Sequence, residues 1–247
     1  MHSSRKSHRV SAILFGAAVM LAAAPVLAQS AAAPAAQPMA DINQAQAAGL
    51  AARRDFAQFV QHNLRTRQAG LPDGFPLDIN DIQDLQDASV GYGFQVYTLD
   101  PQDIVAGRAA LHSMVKPTGV WRFIIRLHDR PIGLATVEQS AGAWTTVAYG
   151  GAVLSKDVDA LMAFHGNAQR SNLRFVRVFQ AQSDFLEVQS GADAKVRFAP
   201  LHSARESLLL QQRAQKTNGA GADGLLDAAD ILEPLRAAVK TNMDAFR

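Results

Sequence analysis

The apolar and polar positions divide the chain into four zones: an apolar N-terminal run, a helical zone, a long β-like zone broken by short helices, and a second helical zone. Residues 10–27 are almost wholly apolar, with only Ser11 polar. Over 41–68 the apolar residues Ala47, Leu50, Phe56, Phe59, Val60 and Leu64 recur near three- and four-residue intervals, which predicts a helix. Gly70, Pro72, Gly74 and Pro76 end it. Short segments rich in β-formers and bounded by turn residues then predict strands over 92–99, 120–127, 132–138, 143–149, 173–181, 185–189 and 195–198. Trp121, Phe123, Ile125 and Leu127 alternate onto one face of their strand, with Arg122 and Arg126 on the other.

Helices are expected between the strands. Asp100 and Pro101 offer an N-cap and a first helical residue for 101–115. Ser155 is the expected cap of a helix over 155–165, with Asp157 and Asp159 in its first turns, and Ser203 that of one over 203–212. The C-terminal 223–246 repeats apolar residues on one side (Leu225, Ala229, Leu232, Leu235, Ala238, Val239), with Pro234 as a kink. Hairpins grouped between helices predict an α+β fold: an antiparallel sheet of about six or seven short strands with flanking helices.

The N-terminal zone changes the picture of where the protein works. Arg5, Lys6 and Arg9 precede the apolar run, Pro25 breaks it, and Val26-Leu27-Ala28 puts small side chains at a cleavage site. This is the layout of a secretory signal peptide over 1–28. An Ala/Pro-rich linker (29–40), a globular domain (41–214), a Gly/Ala linker (215–222) and a C-terminal helix (223–247) are expected to follow. The predicted location is periplasmic or secreted, with no membrane span after cleavage. Removing Arg5, Lys6 and Arg9 from 24 basic residues leaves 21 against 22 acidic ones, so the mature chain lacks the basic excess that marks nucleic-acid binding. With no cysteine it carries no disulfide, thiol chemistry or lipobox, and the core alone must hold it.

The residues that could carry chemistry do not form a motif. His112, His128, His165 and His202 lack zinc-site spacings, and no G-x-S-x-G elbow exposes a serine. Asp78, Asp81, Asp84 and Asp87 lack the glycine and glutamate of a calcium loop and predict an irregular or helical turn with Ile79, Ile82 and Leu85 inside. Gly150-Gly151 serves a tight turn, and Gly91 and Gly93 mark a bulge or close backbone approach. No metal or cofactor is expected. Trp121 and Trp144, on strands of the same meander, form a core pair or line a groove; Arg122, Arg126 and Tyr149 complete the candidate binding set.

The order of strand, D-R-P-I-G turn, strand, a third strand with Trp144, and a helix over 120–165 resembles the cystatin-like and PepSY-type sheet-plus-helix modules of exported inhibitors and propeptides. No residue motif of those families is present, and no functional residue carries over. The expected function is a non-catalytic binding protein that recognises a protein or peptide through a sheet edge or groove, in a chaperone-like, inhibitor-like or assembly role. A homo-oligomer through a loosely attached C-terminal helix is a further expectation. The alternative is a hydrolase with a dispersed Ser/His/Asp set or an unusual metal site.

Overall fold

The computed structural model describes residues 38–67, 70–107, 110–190, 195–208 and 223–245. The expected signal segment (1–28), most of the expected 29–40 linker, all of the expected 215–222 linker and the last two residues lie outside them. In order, the elements are α1 (Pro38–Thr66), a 3₁₀ turn (Ile82–Gln86), β1 (Ala88–Leu99), α2 (Pro101–Ala106), α3 (Leu111–Met114), β2 (Val115–Leu127), β3 (Arg130–Ser140), β4 (Ala143–Gly150), α4 (Ala152–His165), β5 (Leu173–Val178), β6 (Ser183–Gln189), β7 (Val196–Pro200), α5 (His202–Ser207) and α6 (Ala228–Ala245). The fold is α+β with a single seven-stranded sheet in the order β4-β3-β2-β1-β5-β6-β7.

Two antiparallel meanders, β1–β4 and β5–β7, make this sheet. They join through one parallel seam, where only Val96, Tyr97 and Thr98 of β1 pair with Phe175, Val176 and Arg177 of β5. Because side chains alternate along a strand, each meander buries residues on both faces. On one face Trp121, Phe123, Ile125, Ala135 and Val137 pack under α1 with Ala48, Ala52 and Phe56. Beyond the seam on that same face, Val176, Phe185 and Phe198 pack under α6 with α2 and α3. The opposite face places Phe94, Val96, Ile124, Leu134, Phe175 and Leu186 against Val158 and Met162 of α4.

The tight hairpins have physical causes. His128 (φ 53°) and the Ala141-Gly142 pair (φ 51° and 83°) take the left-handed conformations that two-residue turns require. Asp81 caps the 3₁₀ turn in a capping box with Asp84, while Ile82 and Leu85 are buried, so the acidic run is a helical turn with an apolar inner side.

Several boundaries differ from expectation. The helix expected over 101–115 is two short ones, because Gly107 ends α2 in a left-handed conformation (φ 60°) and β2 starts at Val115. Ser155 does not cap α4: the helix starts at Ala152, and Ser155 is buried with its hydroxyl donating to the Ala152 carbonyl (2.8 Å). Ser203 does not cap α5 either, and its hydroxyl donates to Asp184 Oδ2 (2.9 Å). Asp157 instead accepts the His202 N–H at the start of α5. The expectation of a loosely attached C-terminal helix is overturned: Ile231, Leu235 and Val239 of α6 are fully buried against Phe185 and Phe198. Ahead of α6, Leu226 exchanges two backbone hydrogen bonds with Phe198 (both 2.9 Å), which fixes the helix's approach.

Candidate ligand pocket at the sheet seam

The seam determines the site. β1 pairs with β2 along most of its length, yet β5 meets it over three residues only. Gly93, Phe94 and Gln95 therefore pair with β2 on one side and make no ladder with β5 on the other. A cavity of about 150 Å³ lies there, lined by Tyr92, Gly93, Phe94, Gln95 and Tyr97 of β1, Trp121 of β2, Met162 of α4, and Leu173, Arg174 and Phe175 of β5. Phe94 and Phe175 stack in a tilted pair across it, ring centres 5.1 Å apart. Gly93 is required where it stands, since a Cβ would lie 2.2 Å from the Phe123 ring.

The two sides of the cavity differ in chemistry. Phe94, Met162, Leu173 and Phe175 are apolar; Gln95, Tyr97 and Arg174 are not. Arg174 Nε donates to Glu187 Oε1 (2.7 Å), and His112 Nδ1 lies 3.1 Å from the same oxygen and 2.7 Å from Arg174 Nη2. A guanidinium only donates, so a bond from Arg174 to Nδ1 places the imidazole proton on Nε2. Glu187 is 3% exposed, and its second oxygen has no hydrogen-bond partner among the described residues. Two arginines cover tyrosines of the cavity wall: Arg174 on Tyr97 (5.5 Å) and Arg170 on Tyr92 (4.3 Å). Trp121 is 7% exposed with an Nε1–H that has no acceptor among the described residues. Leaving such a donor unmatched costs about 1–3 kcal/mol.

Of the five residues singled out from sequence, only Trp121 lines this cavity. Trp144 and Tyr149 sit under α1, sharing the Trp121 cluster as a core pair would. Tyr149 packs 4.4 Å from Phe59, and burial pushes its hydroxyl up to about 12. Arg122 lies on the opposite face over Phe175 (5.8 Å), lowered by burial and by neighbouring Arg177. Arg126, on that face too, pairs with Asp159 of α4. Sequence reasoning missed Gln95, Tyr97, Arg174 and Glu187. A signal existed: Glu187 and Arg174 interrupt apolar runs on adjacent strands, and charges so placed are buried only when paired.

The serine, histidine and acid groups do not converge. His112 meets Glu187 and Arg174, whereas Ser203 meets Asp184 on the opposite face; no histidine among the described residues is hydrogen-bonded to a serine. His202 pairs with Glu206 on its own helix (3.1 Å). No group of three or more potential metal ligands occurs among the described residues, and no described helix is long and apolar enough to cross a membrane. No family model matches the chain, and neither the curated proteins nor the solved structures contain a match to it.

Proposed function

We propose that this chain is an exported, non-catalytic binding protein that holds a segment of another protein or peptide at the strip of sheet between α1 and α6, one side chain entering the seam cavity. The observation that carries the reading is the cavity between β1 and β5 (about 150 Å³), a volume that accommodates a benzene-sized group. Beside it, residues 93–95 of β1 make no ladder with β5, which leaves their backbone groups on that side for a ligand's main chain. Aromatic walls with a few polar groups suit a ligand anchored by one apolar side chain.

The hydrolase alternative draws on the His112–Glu187 contact. Its third member is Arg174, so the cluster holds no hydroxyl nucleophile that could form an acyl intermediate.

The test is retention of random-sequence octapeptides by the immobilised mature protein, compared with Leu173→Trp, which fills the cavity. Retention about tenfold above the filled variant is expected, a difference of about 1.4 kcal/mol. Equal retention by both, or none by either, would contradict the reading.

A further inference from the structure

We infer that the side chain entering the seam cavity is a phenylalanine within the partner's chain, its ring on the α4 side of the sheet among Phe94, Met162, Leu173 and Phe175. The inference rests on the peptide-binding reading and specifies the residue that anchors the ligand.

Direction is the first argument. The cavity draws its lining from both faces of the sheet, because it lies where β1 and β5 part. Phe94, Met162, Leu173 and Phe175 belong to the face under α4, and all but Leu173 are buried. Gln95, Tyr97, Trp121 and Arg174 belong to the opposite face: Gln95 pairs across the strands with Trp121, which packs under α1, and Arg174 covers Tyr97. Tyr97 and Arg174 are half-buried, so this polar side keeps contact with solvent on the strip between α1 and α6. A side chain entering from that strip passes the polar groups with its stem. Its tip then reaches the apolar floor, behind which stands Met162 of α4. The backbone of Gly93, Phe94 and Gln95, which makes no ladder with β5, lines the same opening, so the anchor's main chain runs on past it in both directions.

Chemistry is the second argument. None of the four floor side chains offers more than the weak acceptor of a thioether. A tip that carries a hydroxyl, an amide or a charge loses its water there without replacement, which disfavours Tyr, Gln, Glu and Lys. Lys and Arg also meet the guanidinium of Arg174 on the way in, and the nearby carboxylate, Glu187, is already held by Arg174 and His112. Among apolar tips the walls favour a ring over Leu. Phe94 and Phe175 stand tilted by 51° with centres 5.1 Å apart, which turns both an edge and a face toward a third ring. Met162 adds an adaptable thioether of the kind that packs well on aromatic rings.

The experiment compares three octapeptide pools with a fixed central Phe, Tyr or Leu, randomised elsewhere over the same small and polar residues, on the immobilised mature protein, on Leu173→Trp and on Met162→Gln. The Phe pool should be retained about tenfold better than the Tyr pool, a difference of about 1.4 kcal/mol. It should be retained about threefold better than the Leu pool. Leu173→Trp should bring all three to one low level. Met162→Gln sets an amide at the floor with little change of volume and should narrow the gap between Phe and Tyr. Tyr retained as well as Phe by the wild type overturns the apolar floor, and Leu retained as well as Phe overturns the aromatic anchor. In either case, binding that Leu173→Trp weakens leaves the peptide reading standing. An unchanged ratio of Phe to Tyr in folded Met162→Gln overturns the placement of the ring tip; if that variant does not fold, the wild-type ratio decides alone. Retention of none of the pools overturns the peptide reading itself.

Discussion

Gly93 faces Phe123 across the β1–β2 pair, and a methyl group there would lie 2.2 Å from the ring edge. Gly93→Ala must therefore displace Phe123 from under α1 or bend β1 at the cavity wall. The expected loss is about 1–3 kcal/mol by denaturant unfolding, the usual cost of overpacking. An unchanged midpoint would contradict this placement of the ring. At Asp184 burial dominates, pushing the carboxyl above its ordinary 3.8 despite the nearby Arg177, the Ser203 hydroxyl and Arg122. A raised folded pKa means that the neutral acid stabilises the fold; that contribution is complete below 3.8 and is lost as pH rises through the folded value. Asp184→Asn keeps an acceptor for Ser203 and cannot ionise. Its melting temperature relative to wild type should rise as pH increases from the acid side toward neutrality. A relative midpoint that falls instead would show that the pairing with Arg177 outweighs burial. At this scale the sequence spoke unevenly: Gly93 announced a close approach, whereas the partner of Glu187 lies thirteen residues away on an adjacent strand and could not be paired by spacing.

The helices gain their stability from the surfaces they cover. In α6, Ile231, Leu235 and Val239 are fully buried, and Arg236 Nε donates to the Ile104 carbonyl (3.1 Å), tying α6 to α2. Leu235→Ala should cost about 2–5 kcal/mol in denaturant unfolding, as for other buried leucines; a loss under about 1 kcal/mol would reinstate a loosely held helix. The other notable helix contact is at the edge strand β4. Asp55 of α1 accepts the Thr146 N–H (2.7 Å) while Arg54 Nη2 donates to the Trp144 carbonyl (3.0 Å), so an ion pair occupies edge groups that another strand could use. Burial raises the Asp55 carboxyl, but the hydrogen bonds from Arg54 and Thr146 outweigh it and set the carboxyl below 3.8. Asp55→Ala should produce concentration-dependent dimers in sedimentation velocity at neutral pH, where wild type stays at its own state. An unaltered distribution would show the edge to be blocked by other means. Strands were legible because alternation leaves a period of two in the sequence. The landing site of α6 was not, since an amphipathic stripe names no surface, and the break between α2 and α3 hung on the backbone of Gly107.

At the level of the molecule, the seam between two meanders organises everything proposed here. Nothing in the sequence marked it: a parallel contact three residues long leaves no periodicity, and its cavity exists because β5 and β1 separate immediately below. Export, read from the N-terminal pattern, predicts that protein recovered outside the cytoplasm begins at Gln29; recovery of intact Met1 in a membrane fraction would contradict that. The pocket reading has its most direct test in the chain's two tryptophans. Trp121 lines the cavity, while Trp144 packs under α1 outside it. Two indole N–H resonances in a ¹⁵N-labelled mature sample report on both at once. On titration with the octapeptide pool, the Trp121 indole resonance should shift saturably, with that of Trp144 unmoved. Movement of Trp144 alone, or of neither, would contradict the seam pocket as the binding site.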